Sequence, residues 1–233
     1  MHNIYYYTKI QLIERMGDDR WSGTPNRAGF ARTLKALKRD GSNILFVGAD
    51  TAGTHGLLCN RLLGKMGRTR RYLLVVTDDR DRIPLDEHET GGTDRVLDYS
   101  ELECSDGSER TDGGEQPPLG ALGTEIIDTV DAFDDLAEGL EPSELRVCVD
   151  SLVPLLREHP PEKVFRLLHV MTSRVGQVRG IGHYHLPLER GHDAVALLEP
   201  LFDATVEIRT RGGSYEQRWQ FRNREIATEW VPF

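Results

Sequence analysis

Lysine is scarce in this chain, cysteine is scarcer, and no apolar run is long. The three cysteines, Cys59, Cys104 and Cys148, lack the even count of a disulfide scaffold and the close spacing of a zinc knuckle. That points to a reducing compartment. No apolar stretch approaches the roughly 18 residues that span a bilayer, and residues 1–20 lack the apolar centre of a signal peptide, so a cytoplasmic protein is expected. Glycine (23) and proline (11) among 233 residues are too few for a collagen-like chain, and 38% hydrophobic residues are too many for a disordered one. What remains is a soluble globular protein with one sizeable core.

Charge is unevenly placed. The formal net charge is -9, yet Asp78 to Pro118 holds 14 acidic residues against 4 arginines, and everything else sums to +1. Basic residues divide into 24 Arg and 5 Lys. A net-negative chain opposes nonspecific phosphate binding, so nucleic acid is not an expected partner.

The order of elements reads as α/β. Residues 1–25, with Tyr5, Tyr6 and Tyr7, are expected to form an N-terminal arm ahead of a domain covering 26–233. A helix follows over Arg27 to Arg39, with Phe30, Leu34 and Leu37 on one face. Asn43 to Val47, Tyr72 to Val76 and Leu145 to Val149 are continuous apolar runs, the signature of parallel strands covered on both faces. They should lie adjacent or nearly so. A weaker strand is expected at Arg95 to Tyr99, and helices at Leu119 to Leu140, Pro160 to Arg179 and His192 to Leu201. Gly182 to Leu186 reads as another strand. Ala204 to Thr210 and Tyr215 to Phe221 form a hairpin about Arg211 to Ser214, and Ile226 to Phe233 is a candidate last strand. Two acidic insertions, about 79–94 and 102–118, exceed ordinary connection lengths and read as solvated decoration in preference to mobile loops over the site.

The chemistry-bearing stretch is Gly48-Ala49-Asp50-Thr51-Ala52-Gly53-Thr54-His55, between a strand and a helix. A phosphate-binding loop, GxxxxGK[ST], uses backbone N–H groups to cradle phosphate, lysine to reach the outer phosphates and a hydroxyl to hold magnesium. Both glycines are present. Thr54 stands in the lysine position and His55 in the hydroxyl position, while Asp50 would repel an anion. Asp150 ends an apolar strand where a magnesium-water ligand would sit beside a working loop; otherwise Asp150 and Ser151 can cap the following segment.

In this order of elements the chain resembles the RecA/KaiC-like class of P-loop ATPases, and in particular haloarchaeal KaiC-related, halobacterial transducer-like proteins with a degenerate phosphate loop. The resemblance implies a RecA-like three-layer sandwich, mainly parallel, with a C-terminal antiparallel hairpin. It matches Gly48 and Gly53 to the loop glycines and Asp150 to the Walker B acid. It also nominates Arg174 or Arg179 as an arginine reaching a neighbouring subunit's nucleotide, against the plainer reading of a solvated helix face that includes Arg166 and Arg190.

His183 and His185 share one strand face, but the cysteines lie on other elements and zinc needs three or four convergent ligands. They are expected to line a sheet edge or pocket, and no metal site is expected. Nucleophilic use of Cys59, Cys148 or Ser151 has no supporting pattern. The functional expectation is a non-catalytic regulatory or assembly protein, in signal transduction, acting through protein contacts. It has no catalytic residues and no cofactor, and Gly48, Gly53, Thr54, His55 and Asp150 form a vestigial or weak nucleotide site. The alternative is an atypical ATP-binding protein or ATPase using ATP and magnesium. A homodimer or small oligomer is expected, through the arm or the C-terminal hairpin, with Trp219, Trp230 and Phe233 as anchors unless they complete the monomer's own core. Arg209, Arg211, Arg218, Arg222 and Arg224 offer an interaction face or the wet side of an edge ribbon.

Overall fold

A computed structural model describes residues 27–49, 54–63, 70–78, 94–102, 119–222 and 227–232. The expected N-terminal arm, most of both expected acidic insertions, Asp50, Gly53, Cys104, Arg224 and Phe233 lie outside these ranges. Helix α1 (Arg27–Asp40) leads into β1 (Ser42–Val47), followed by α2 (His55–Leu63), β2 (Arg71–Val76), β3 (Asp94–Asp98) and α3 (Leu119–Leu136). Then come β4 (Leu145–Val149), α4 (Val153–Glu158), α5 (Pro161–Gln177), β5 (Ile181–Leu186), α6 (Asp193–Leu198), β6 (Ala204–Arg211), β7 (Ser214–Phe221) and β8 (Val231–Pro232).

The eight strands among the described residues join one sheet in the order β3-β2-β4-β5-β1-β6-β7-β8. The pairs from β3 to β6 are parallel, whereas β7 and β8 continue the sheet antiparallel. β2 and β4 are neighbours, and β5 alone separates β4 from β1. The three apolar runs are therefore central parallel strands, and the hairpin extends the sheet as its alternating pattern predicts. The three-layer, mainly parallel sandwich follows from the burial of both sheet faces.

Strand alternation divides the interior. Leu45 and Val47 of β1, Leu73 and Val75 of β2, Val147 and Val149 of β4, and Tyr184 and Leu186 of β5 point to one face. There they meet Leu122, Ile126 and Val130 of α3 and Val164, Leu168 and Met171 of α5. The opposite face carries Ile44 and Phe46 under Phe30 of α1 and Leu58 of α2, and Leu74, Val76 and Cys148 under Cys59 and Leu63 of α2. Each fully buried large aliphatic side chain contributes about 1.5–3 kcal/mol relative to exposure.

Local chemistry ends the elements. α1 stops at Gly41, whose φ of +81° favours glycine and whose Cβ would come within 2.7 Å of the Arg179 backbone. The C-terminal carbonyls of α2 are held by two guanidinium groups: Arg146 donates to Leu62 O at 3.2 Å and Arg70 to Leu63 O at 3.1 Å. Burial pushes the Arg146 guanidinium down to about 10. Cations at that end also favour the helix dipole.

Two sequence expectations are corrected by position, and one element was not anticipated. His183 and His185 sit in a central strand between β4 and β1, not at an edge, because β5 is buried along its whole length. The helix expected to reach Leu140 ends at Leu136, where Glu138 and Gly139 take positive φ of 53° and 105°. The short helix α4 was not anticipated; six residues with Pro154 in the first turn carry little periodic signal.

Candidate functional site

The loop region is described at both ends. Gly48 follows β1 with φ +133°, and a Cβ there would stand 2.1 Å from Ile208 O on β6. Its N–H donates to Leu188 O at 2.8 Å. Glycine is thus required here by the close approach of two neighbouring strands. Thr54 is fully buried, and its carbonyl accepts from Leu58 N at 2.9 Å to begin α2. His55 is the first residue of that helix. Gly53 and Asp50 fall outside the described residues.

Asp150 is buried at the C-terminal end of β4. Its Oδ1 accepts from Thr77 N at 2.7 Å, Thr77 Oγ1 at 2.8 Å and Ser151 N at 2.7 Å, and its Oδ2 accepts from Asp78 N at 3.1 Å. The single Thr77 hydroxyl hydrogen is shared between Asp150 Oδ1 and Ser151 O. The carboxylate ties the ends of β2 and β4 together by satisfying N–H groups that the ladder leaves unpaired. The sequence alternative, a cap on the following segment, is only part of its role: Ser151 Oγ accepts from Val153 N at 3.3 Å, while Asp150 serves mainly the strand beside it.

Four of the arginines nominated as exposed or intersubunit groups, Arg174, Arg190, Arg209 and Arg218, find partners within the chain. Arg174 joins α5 to α3 through Asp131 at 2.6 Å and Asp134 at 3.5 Å. Arg190 bonds Glu199 at 2.5 Å and Gln220 at 3.1 Å. On the hairpin, Arg209 pairs with Glu216 and Arg218 with Glu207, and both guanidinium groups lie over the Trp230 ring at 3.8 and 4.9 Å. Arg166 and Arg179 are exposed. Trp219, proposed as an interface anchor, is instead core, edge-on to Phe30 at 5.9 Å and stacked with Phe221 at 5.8 Å.

Sequence separation concealed one convergence. Cys59 of α2, Cys148 of β4, and His183 and His185 of β5 are all buried, and one ligating atom from each lies within 4.8 Å of the others. The sulfurs of Cys59 and Cys148 are 3.1 Å apart, and Cys59 Sγ is 3.7 Å from His185 Nε2. The two imidazoles meet edge to face at 5.5 Å, and Phe46 stacks on His185 at 5.3 Å. Burial, followed by the Cys59 contact, pushes the Cys148 thiol strongly up. The cysteines do lie on other elements, as the sequence implied. The register that sets Cys148 opposite His183, with α2 packed above, brings them to the histidines. The only local signal was the His-x-His alternation on a strand.

Among the described residues no helix is long and apolar enough to cross a membrane. No curated protein sequence matches the chain. Among solved structures it is similar to a KaiC-like protein from the hyperthermophilic archaeon Pyrococcus horikoshii OT3, with a TM-score of 0.55 and 14% sequence identity, over 83% of this chain and 86% of that one. That likeness establishes the RecA/KaiC-like fold and nothing finer. At the sequence level, residues 41–208 match the model of DUF7504, described as a family of unknown function, and the chain belongs to that family.

Proposed function

We propose that this protein is a non-catalytic RecA/KaiC-like regulatory or assembly protein, with a setting in signal transduction, that acts through protein contacts. The observation that carries the reading is the engagement of Asp150. Both its carboxylate oxygens are committed to Thr77, Asp78 and Ser151, so its place at the strand end has a structural reason. Gly48 and Thr54 support the same reading, one through the approach of β6 and the other through complete burial at the start of α2. A loop lacking a lysine also lacks the cation that offsets the charge of the outer phosphates. The signalling setting rests on the resemblance to haloarchaeal transducer-like proteins.

The test is calorimetric titration of the purified chain with ATP, with and without magnesium, alongside a phosphate-release assay. Binding weaker than millimolar and no release above buffer are expected. Micromolar affinity that requires magnesium would replace this reading with the atypical ATP-binding one, and release of phosphate would place the protein among ATPases. Light scattering at micromolar concentration, reading a mass above 26.3 kDa, checks the expected homodimer or small oligomer.

A further inference from the structure

We propose that Cys59, Cys148, His183 and His185 form a structural zinc(II) site that clamps helix α2 to the centre of the sheet. Four ligands of two soft and two borderline types converge from three elements, which is the donor set and number of a closed tetrahedral zinc site. All four ligating atoms lie within 4.8 Å of one another, and two of the spacings are near those such a site needs. Zinc–sulfur bonds of about 2.3 Å and zinc–nitrogen bonds of about 2.0–2.1 Å give tetrahedral edges of about 3.4–3.8 Å. The Cys59 to His185 separation of 3.7 Å already fits, and the two sulfurs at 3.1 Å need only move apart by a fraction of an ångström.

The surroundings favour an ion over a metal-free polar cluster. His183 is 1% exposed and its Nε2 has no hydrogen-bond partner among the described residues. An interior position that leaves a ring nitrogen unsatisfied costs free energy unless something else satisfies the group. Two thiolates and two neutral imidazoles around Zn2+ carry no net charge, so the occupied site suits a buried position. Binding replaces the two thiol protons, which pass to solvent, with two zinc–sulfur bonds and needs no redox partner. Complete burial leaves no open coordination position for substrate. The role is therefore mechanical: it fixes the helix that follows the Gly48 loop against β4 and β5.

The site is tested on the full-length chain without a polyhistidine tag, in a Cys104→Ser background so that two thiols report. Elemental analysis is expected to give one zinc per chain. Both thiols should resist a disulfide reagent until a chelator is added, and zinc removal should lower the melting temperature by about 10 °C. Cobalt(II) added to the metal-free chain should give the intense visible bands and sulfur-to-metal charge transfer of a tetrahedral thiolate site. Cys59→Ser and His183→Asn should each abolish those bands. If these variants misfold, the cobalt spectrum of the Cys104→Ser chain decides alone. Absence of stoichiometric metal after reconstitution under reductant, a six-coordinate cobalt spectrum, or unchanged bands in a folded Cys59→Ser chain would overturn the proposal. A mass lower by two hydrogens under reductant would do the same, by showing a Cys59–Cys148 disulfide.

Discussion

Replacing Asp150 with alanine separates a strand-end staple from a metal-ion ligand. The substitution leaves the N–H groups of Thr77, Asp78 and Ser151 without their acceptor, while the Thr77 hydroxyl keeps Ser151 O. Hydrogen bonds to a charged group are worth about 1.5–3 kcal/mol each, but three of the four share one oxygen and are not additive. A total loss of about 3–5 kcal/mol is expected, enough to lower the melting temperature by about 6–20 °C in a chain of this size. Asp150→Asn keeps the oxygen that serves three donors and places an amide N–H2 against Asp78 N, so it should cost about 1–2 kcal/mol. Urea titrations followed by circular dichroism would report both as shifts of midpoint at constant slope. Magnesium should leave the melting temperature of the unaltered protein where it is. An Asp150→Ala chain within about 1 kcal/mol of the parent, or equal costs for the two variants, would refute the staple.

Gly48→Ala should destabilise by about 3 kcal/mol or more, because its Cβ would meet Ile208 O at 2.1 Å; thermal melting in nucleotide-free buffer checks this. Joint replacement of Thr54 by Lys and His55 by Thr restores the phosphate-loop pattern but forces a lysine into a fully buried position, so a loss of about 1–3 kcal/mol is expected. Calorimetry should find no gain in ATP affinity. Tyr184 donates to Asn43 Oδ1 at 3.0 Å, and Tyr184→Phe should cost about 1–2 kcal/mol in urea. Burial, then Asp203, raises the Tyr184 phenol above its ordinary value of 10. The unfolded chain therefore ionises first: this contribution is constant below about pH 10 and falls above it. Stability measured between pH 9 and 11 should show that extra slope in the parent and lose it in Tyr184→Phe.

The layers were legible where one physical demand dominated. β1, β2 and β4 are apolar at nearly every position because helices cover both faces, and a continuous run states that directly. The hairpin was legible because Gln217, Trp219 and Phe221 turn inward while their neighbours do not. The histidines were read as lining a sheet edge or a pocket, and the edge half of that reading fails because β5 is a central strand. Tyr184 and Leu186, on the other face of the same strand, carry the burial that places it there. Cys59 and Cys148 are 89 positions apart, and Cys59 and His185 are 126 apart. Only the sheet order and the packing of α2 bring them together, and local spacing holds no record of either. For Asp150 the position was legible but the partner was not, since Thr77 follows a different strand, 73 residues earlier.

The sheet order also has a consequence for the birth of the chain on the ribosome. Among the described residues β1 is the first strand synthesised, yet its two neighbours are β5 and β6, and Asn43 meets Tyr184 across 141 positions. At about 5–20 residues per second, roughly 7–28 s pass before β1 can pair. During that interval Ile44, Leu45, Phe46 and Val47, all buried in the finished protein, emerge unpartnered while β2 and β4 can already associate with each other. Nascent chains stalled before Ile181 should therefore recruit hydrophobe-binding chaperones at β1, and those stalled beyond Phe221 should release them once β1 is enclosed between β5 and β6.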